Sequence, residues 1–283
     1  MNGVLSFQEI ENYVNNKQQN LQLLANFEGA IQKFDQDLFI RFVETYKYAR
    51  KQTNGWDEDA ITNSLIKDIM TSLNTNFNLT YNVFKAKGNY ETNFGDIAFI
   101  IRFNYKNATS FEGFGFIEAK RDYPNRYYQF RELKKPQMAK FLKNTKSSYY
   151  CFYSHKAFFP VVKTEYLYLH LKHLNLPLAK QLDYTLLTST IQPTTFQQQF
   201  NRFINGFDLD CGEKTKNIAY GYHERYRPST IFVINKFEDG MTPTPTPTPN
   251  QEIYVKILAE SSDLFMDKKN NNNDQGFNRG MGM

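Results

Sequence analysis

Two apolar segments constrain the fold of this chain more than any other feature. GDIAFIIRFNY, residues 95–105, and FGFIEAKR, residues 114–121, are rich in β-branched and aromatic residues, which is typical of strands. The polar connector KNATSFEG separates them and has the character of a turn. We therefore expect an antiparallel hairpin. Pairing about a turn near Asn107 and Ala108 places residue 96 opposite a position near 118.

The segments around this hairpin predict further strands and helices. Apolar residues recur at helical spacing over residues 6–51, and Asp57 is a suitable N-cap for a helix in EDAITNSLIKDIMTSLN. LTYNVFKAKG, SSYYCFYSH and STIFVINKF have strand composition, whereas EYLYLHLKHL and TTFQQQFNRFINGF have helical patterns. KKPQMAKFLKNT predicts a helix with Pro136 in its first turn. This order indicates an α/β fold with a central mixed β-sheet flanked by helices.

The pattern divides the chain into four parts. An N-terminal helical segment covers residues 1–56, and the core with its C-terminal extension covers 57–240. Residues 241–250 contain TPTPTPTPN, which predicts a polyproline II linker. Residues 251–283 follow: QEIYVKILAE is either an edge strand or a short helix, and the Asn-rich remainder predicts a disordered tail. Residues 156–240 either complete the domain or recognise the target.

Composition excludes several classes of protein. With 16% aromatic residues among 283, the chain is too apolar to be disordered as a whole. No apolar run is long enough for a membrane span and no signal peptide is evident, so we expect a cytoplasmic protein without a membrane partner. No Walker motif is present, so ATP is not expected. The two cysteines, Cys151 and Cys211, are too few for a disulfide framework.

The charged end of the second hairpin strand is the first sign of chemistry. Glu118 and Lys120 share one face of a strand and Ala119 lies on the other, so a salt bridge is the simplest interpretation. Asp96 changes this interpretation, because two neighbouring carboxylates in an apolar sheet repel each other strongly. A magnesium ion, held by both carboxylates, a backbone carbonyl and waters, relieves the repulsion. The lysine can then orient or deprotonate a water, or stabilise charge on a phosphate.

Gly95-Asp96 followed by Glu118-Ala119-Lys120 resembles the PD-(D/E)XK nuclease superfamily, whose fold many restriction endonucleases share. Glu58 resembles the acid of the helix ahead of the core strands, although Asp57 and Asp59 compete for this position. Gln137 resembles the glutamine that many members carry in the helix after the ExK strand. The resemblance covers residues 57–155. Gly95 departs from the motif, which has proline there.

The resemblance implies a restriction-endonuclease-like fold and a metal-dependent endonuclease, of restriction or defence type, that hydrolyses duplex DNA. Mg²⁺ would be the cofactor, and Mn²⁺ would substitute for it. Asp96, Glu118 and the backbone carbonyl of Ala119 would bind the metal. The expected catalytic set is Asp96, Glu118, Lys120, Glu58 and Gln137. A homodimer is expected, because cutting both strands needs two sites.

A basic segment follows this motif. Nine lysines and arginines lie between residues 120 and 146, opposed by Asp122 and Glu132, with tyrosines interleaved. This composition is typical of a nucleic-acid-binding surface, and a solvated helix face is the alternative. The candidate nucleic-acid contacts are Arg121, Arg126, Arg131, Lys134, Lys135 and Lys140.

Other functions stay open at this point. A second hypothesis is a nucleic-acid-binding subunit that has the same fold but is catalytically silent. A third hypothesis is an RNA-directed nuclease effector in anti-phage defence. The sequence does not determine the target sequence or decide between DNA and RNA. His170 and His173 have metal-ligand spacing but no evident third ligand. Gly113 and Gly115 are interpreted as packing glycines, since no third glycine completes a phosphate loop.

Overall fold

The computed structural model describes most of the chain between residues 30 and 258. The described residues are 30–51, 56–74, 79–88, 90, 92–106, 110–123, 129–130, 133–173, 193–238, 241 and 244–258. Residues 6–29 of the helical stretch predicted over 6–51, the turn residues Asn107 and Ala108, and the predicted tail lie outside them. Within the described part of the chain, no helix is both long and apolar enough to cross a membrane.

The described strands form one mixed sheet, as the sequence predicts. The strands are β1 (Leu79–Ala86), β2 (Ile97–Asn104), β3 (Ser110–Tyr123), β4 (Gln129–Phe130), β5 (Ser148–Tyr153), β6 (Pro160–Lys163), β7 (Thr194–Thr195), β8 (Thr230–Phe237) and β9 (Tyr254–Ile257). Their order is β7-β6-β5-β3-β2-β8-β1-β9, and β4 pairs with the end of β3. The β2–β8 and β3–β5 pairs are parallel, and the other pairs are antiparallel.

Helices cover both faces of the sheet. The described helices are α1 (Ala30–Lys51), α2 (Glu58–Leu73), α3 (Lys135–Asn144), α4 (Thr164–His173), α5 (Phe196–Ile204) and α6 (Glu213–Ala219). On one face, the buried side chains of α1, α2 and α5 pack with alternate residues of β2 such as Phe99. On the other face, the buried side chains of α3, α4 and α6 pack with the intervening residues of β2 such as Ile100. Because both faces are buried, the central strands are continuous apolar runs. The fold is α/β with a mixed sheet between two helical layers.

Residues 156–240 complete this domain. They supply β6 and β7 at one edge of the sheet, and β8, which lies between β1 and β2. The chain then passes through the Thr-Pro segment to β9, which pairs with β1 as an edge strand. The described part of that segment has no helix or strand and touches the core: Asn235 donates to the Thr246 hydroxyl at 2.8 Å, and Pro249 is buried.

Two glycines of β3 allow α5 and the chain after it to approach the sheet. A Cβ atom at Gly113 would lie 2.6 Å from Leu209, and one at Gly115 would lie 2.7 Å from Phe203. Both separations are too short for any side chain. The interpretation of these residues as packing glycines is therefore confirmed.

Candidate active site

The β2–β3 hairpin brings Asp96 to the ExK strand in the expected register. Ile97 pairs with Ile117, so residue 96 is opposite residue 118 one step further along. The Asp96 amide donates to the Ile117 carbonyl at 2.9 Å, and the Ala119 amide donates to the Asp96 carboxylate at 2.6 Å. The predicted proximity of Asp96 and Glu118 is confirmed.

Gly95, which precedes this carboxylate, has a backbone conformation that proline cannot adopt. Its φ is +86°, in the left-handed region, whereas proline is fixed near −65°. A Cβ atom here would also lie 3.2 Å from the Ile117 carbonyl oxygen. This left-handed backbone explains why glycine, and not the proline of the PD-(D/E)XK motif, precedes Asp96 here. Asp96 still contacts β3 through the Ala119 amide.

Glu118 and Lys120 project to the same side of β3 and form a buried ion pair. The Lys120 Nζ lies 2.7 Å from the Glu118 Oε1, and the two residues are only 6% and 5% exposed. Gln137, in the first turn of α3, donates its Nε2–H to the same Glu118 oxygen at 2.7 Å. Pro136 is the second residue of this helix, where its missing N–H costs no intrahelical hydrogen bond, as the sequence predicts.

Glu58 is the acid of α2 that reaches this pair. Its Oε1 accepts from the Lys120 Nζ at 3.2 Å, and its Oε2 accepts from the Arg121 amide at 3.1 Å. Asp57 instead caps the helix and accepts from the amides of Asp59 and Ala60, as its N-cap position predicts. Asp59 is exposed. The structure thus brings all five expected catalytic residues together.

Negative charge exceeds positive charge in this cluster. Asp96, Glu118 and Glu58 surround the ammonium group of Lys120. Burial, and next the negative charge of Glu118, raise the pKa of Asp96 well above its usual range. Burial also raises the pKa of Glu58. Burial opposes the charge of Lys120, but the three carboxylates outweigh it and raise the pKa of that ammonium group.

The donor set fits a hard divalent cation. The carboxylates of Asp96 and Glu118 are the oxygen ligands that magnesium prefers, and an added positive charge would offset the repulsion that raises the pKa of Asp96. The N–H and C=O of one strand residue face the same neighbour, so the Ala119 carbonyl lies on the side of β3 that carries Asp96. In the described part of the chain, no group of three or more His, Cys, Asp or Glu side chains is arranged to hold a metal ion. The candidate set therefore has only two side-chain ligands, Asp96 and Glu118, and the Ala119 carbonyl and waters would have to complete it.

Tyr150 adjoins the site and was not predicted. It is paired with Glu118 across the parallel β3–β5 register and is completely buried. Its hydroxyl has no hydrogen-bond partner among the described residues. Burial, followed by the charge of Glu118, raises the pKa of Tyr150. The sequence alone gave no signal, because the parallel register of β5 against β3 depends on the crossover through α3.

A second buried acid, Asp122, also escaped prediction. Its Oδ1 accepts from the Trp56 indole at 3.0 Å and lies 2.6 Å from the His155 Nδ1. Its Oδ2 accepts from the Ser154 hydroxyl at 3.2 Å and from the His155 amide at 2.8 Å. The signal was present in the sequence, since Glu118, Lys120 and Asp122 follow the two-residue period of a strand.

The expected nucleic-acid contacts differ in their surroundings. The Arg121 guanidinium donates to the Trp56 carbonyl and lies 4.0 Å from the Asp57 carboxylate. Lys140 donates to the Asn93 carbonyl at 3.0 Å. Lys134 is exposed and Lys135 is half-buried at the start of α3. Arg126 and Arg131 lie outside the described residues. Binding of phosphate by these residues stays a prediction.

Comparison with known proteins adds no relative to this picture. No protein-family model, no curated protein and no solved structure matches the chain. The geometry and electrostatics of the site itself are therefore the basis for its proposed function.

Proposed function

We propose that the chain is a metal-dependent endonuclease with a restriction-endonuclease-like fold, acting on duplex DNA in a restriction or defence role. One observation carries the proposal: Asp96 and Glu118 converge on β3 beside Lys120, with Glu58 and Gln137 completing the cluster. A pure binding surface has no need of buried carboxylates that repel a phosphate backbone.

Each residue has a role in this proposal. Asp96, Glu118 and the Ala119 carbonyl would hold Mg²⁺, which supplies positive charge at the scissile phosphate and lowers the pKa of a bound water. Because the raised pKa of Lys120 keeps it protonated at neutral pH, its ammonium group donates hydrogen bonds to the attacking water or to a phosphate oxygen. Glu58 and Gln137 orient Lys120 and Glu118 through the contacts given above.

The surrounding charge favours a polyanionic substrate. Lys134 and Lys135 lie at the start of α3, three and two residues before Gln137, and Lys134 is exposed. Cutting both strands of a duplex requires two such sites, so the proposal includes a homodimer.

Incubating the purified chain with plasmid DNA, linear duplex DNA and single-stranded RNA, each with Mg²⁺, Mn²⁺ or EDTA, tests the proposal. We expect cleavage of duplex DNA with either metal and none with EDTA. Discrete fragments would indicate a site-specific enzyme, and a smear a nonspecific one. Cleavage of RNA alone would mean that RNA, and not duplex DNA, is the substrate. Tight DNA binding without cleavage under any metal condition would contradict the proposal and favour the silent binding subunit, in which Glu118 and Lys120 are a structural ion pair.

A further inference from the structure

A basic cleft with aromatic walls lies beside the candidate active site. It has a volume of about 590 Å³ and lies between the C-terminal end of α3 and residues 222–226. Its lining includes the cations Lys143, Lys214 and Arg225 and the rings of Tyr222 and Tyr226. Glu224 is the acidic residue among the described residues that line it. The cleft therefore combines net positive charge with flat apolar surfaces.

The wall formed by residues 222–226 is held in shape by its own hydrogen bonds. The Nδ1 of His223 accepts from the amides of Arg225 at 3.1 Å and Tyr226 at 3.3 Å. The rings of His223 and Tyr226 stack with centroids 4.7 Å apart. Burial lowers the pKa of His223, so the ring is neutral at pH 7 and can accept these bonds. The amides of Tyr222 and His223 both donate to the Asn217 carbonyl of α6, which anchors the wall to the domain.

The cleft is connected to the active site through the Tyr226 ring and through α3. The Tyr226 ring lies 5.5 Å from the ring of Phe94, which stands two residues before Asp96. Lys140 also contacts the Tyr226 ring, and its Nζ lies 5.5 Å from the ring centroid. Along α3, Gln137 faces the active site and Lys143 lines the cleft, and six residues of helix span about 9 Å. One nucleic acid strand can reach both, since a single turn of duplex is about 34 Å long.

The side chains of the cleft match an unpaired nucleotide better than a duplex. Tyr222 is 58% exposed, and its ring stacks on Tyr220 with centroids 6.4 Å apart, so it presents a supported flat surface to solvent. Bases can stack on such a surface only where they are not already stacked in a duplex. Lys143 and Lys214 both line the cleft, and the Lys214 Nζ donates to the Lys143 carbonyl at 3.4 Å, so its ammonium group lies at the end of α3. Both lysines are placed to contact phosphates.

We propose that this cleft binds a single-stranded segment of nucleic acid adjoining the cleavage site, with a base stacked on Tyr222 and phosphates against Lys143, Lys214 and Arg225. The proposal deepens the proposed nuclease function and rests on it for the identity of the substrate. It implies that the preferred substrate has an unpaired flank, such as an overhang or a fork.

Fluorescence anisotropy of labelled oligonucleotides in EDTA tests the cleft. The wild type should bind a duplex with a single-stranded overhang at least fivefold more tightly than the blunt duplex, which is the lower end of the effect of one stacked base. Tyr222→Ala should abolish this preference and Tyr222→Phe should retain it. Replacing Lys143, Lys214 and Arg225 with alanine should reduce the slope of log affinity against log salt by about 2 for the overhang substrate, at about 0.7 per lost contact.

Tyr166 provides a matched control, because it is also 58% exposed and has a lysine, Lys163, 5.7 Å from its ring centroid. Tyr166→Ala should leave the overhang preference unchanged. Equal affinity of the wild type for blunt and overhang duplexes, or an equal loss in Tyr166→Ala and Tyr222→Ala, would overturn the cleft proposal even if the protein cleaves DNA. Conversely, an overhang preference that depends on Tyr222, in a protein that cleaves nothing, would support the cleft and contradict the nuclease.

Discussion

Two acids beside β3 are held in opposite ways: Asp122 at the end of the strand, and Asp96, which precedes β2 and lies opposite Glu118. Asp122 is fully buried, and donors from Trp56, Ser154 and His155 satisfy both of its oxygens. Asp96 shares its surroundings with the carboxylates of Glu118 and Glu58, with Lys120 as the cation between them. The hydrogen bonds of Asp122 are thus complete, whereas Asp96 lies among more negatively than positively charged groups.

This difference separates a structural acid from a candidate catalytic one. A buried carboxylate that accepts several hydrogen bonds contributes to the fold, because removing it would strand its donors. Carboxylates crowded together raise one another's pKa and destabilise the fold until a cation arrives. We therefore expect substitutions at Asp122 to change stability, and substitutions at Asp96 to change chemistry.

The largest expected effect is on cleavage. Lys120→Ala and Asp96→Asn should each lower the rate of DNA cleavage by about 10²- to 10⁴-fold, the range for a positioned acid–base group. The double variant should be little worse than the worse single variant, because the two residues act as a unit on one water. Rates from single-turnover assays measure this, and circular dichroism checks folding. Losses that multiply, or a Lys120→Ala chain that fails to fold, would favour a structural ion pair instead.

At Asp122 the expected effect is on stability. Asp122→Ala leaves the Trp56 indole and the His155 ring without their acceptor, and each stranded donor costs about 1–3 kcal/mol. We expect the free energy of unfolding to fall by about 3 kcal/mol or more in urea titrations. Asp96→Asn, measured in EDTA at neutral pH, should leave it unchanged or raise it, since one repulsive charge is lost. The reverse ranking would contradict the distinction between the two acids.

Much of the Asp96 cluster could be predicted because it depends on local rules. A hairpin's register follows from its turn, and the strand period places Glu118 and Lys120 on one face. Glu58 is favoured over Asp57 and Asp59 because it lies three residues before Ile61, on the buried stripe of α2, and Asp57 is the N-cap. These relations involve residues close in sequence or joined by one tight connection.

The remaining features depend on long connections that no periodicity encodes. The insertion of β8 between β1 and β2 pairs residues about 130 apart in the chain for β2 and about 150 apart for β1. Asp122 meets His155 only because β3 and β5 are parallel neighbours. A single histidine such as His155 therefore has no pattern in the sequence that would predict this contact. The orphan hydroxyl of Tyr150 depends on the same register.

Asp68 is a half-buried carboxylate on α2, away from this cluster, and among the described residues it has no carboxylate pair to bind a cation. Burial raises its pKa to about 6, against the hydrogen bond that Thr45 donates to it at 2.7 Å. A folded-state value above the unfolded value of 3.8 means that this group destabilises the fold above pH 6 and that the penalty disappears as the pH falls toward 4. Asp68→Asn should therefore raise the free energy of unfolding by about 2–3 kcal/mol at pH 8 and by nothing near pH 4. Urea titrations at both pH values measure this, and an equal gain at both would show that the charge is not responsible.

The smallest expected effect is at Tyr150. Removing its unsatisfied hydroxyl in Tyr150→Phe should leave stability unchanged or raise it by about 1 kcal/mol in EDTA. Tyr153→Phe is a control of opposite sign on the same strand, because the Tyr153 hydroxyl is hydrogen-bonded to the Thr62 hydroxyl at 2.8 Å and the variant should lose about 1 kcal/mol. Melting temperatures of both variants measure these changes. A loss of stability in Tyr150→Phe equal to that in Tyr153→Phe would mean that the Tyr150 hydroxyl is already satisfied in the folded protein.

Thermal unfolding with and without metal tests whether the Asp96 cluster binds a divalent cation, as proposed. At a Mg²⁺ concentration about ten times the dissociation constant, binding to the folded state stabilises it by about 1.4 kcal/mol, a rise in Tm of about 2–6 °C. We expect this rise in the wild type and in Asp68→Asn, and its loss in Asp96→Asn. The proposed cation site would be contradicted if the Tm of the wild type were the same in EDTA and in saturating Mg²⁺ or Mn²⁺. An equal rise in Tm in Asp96→Asn would contradict it as well.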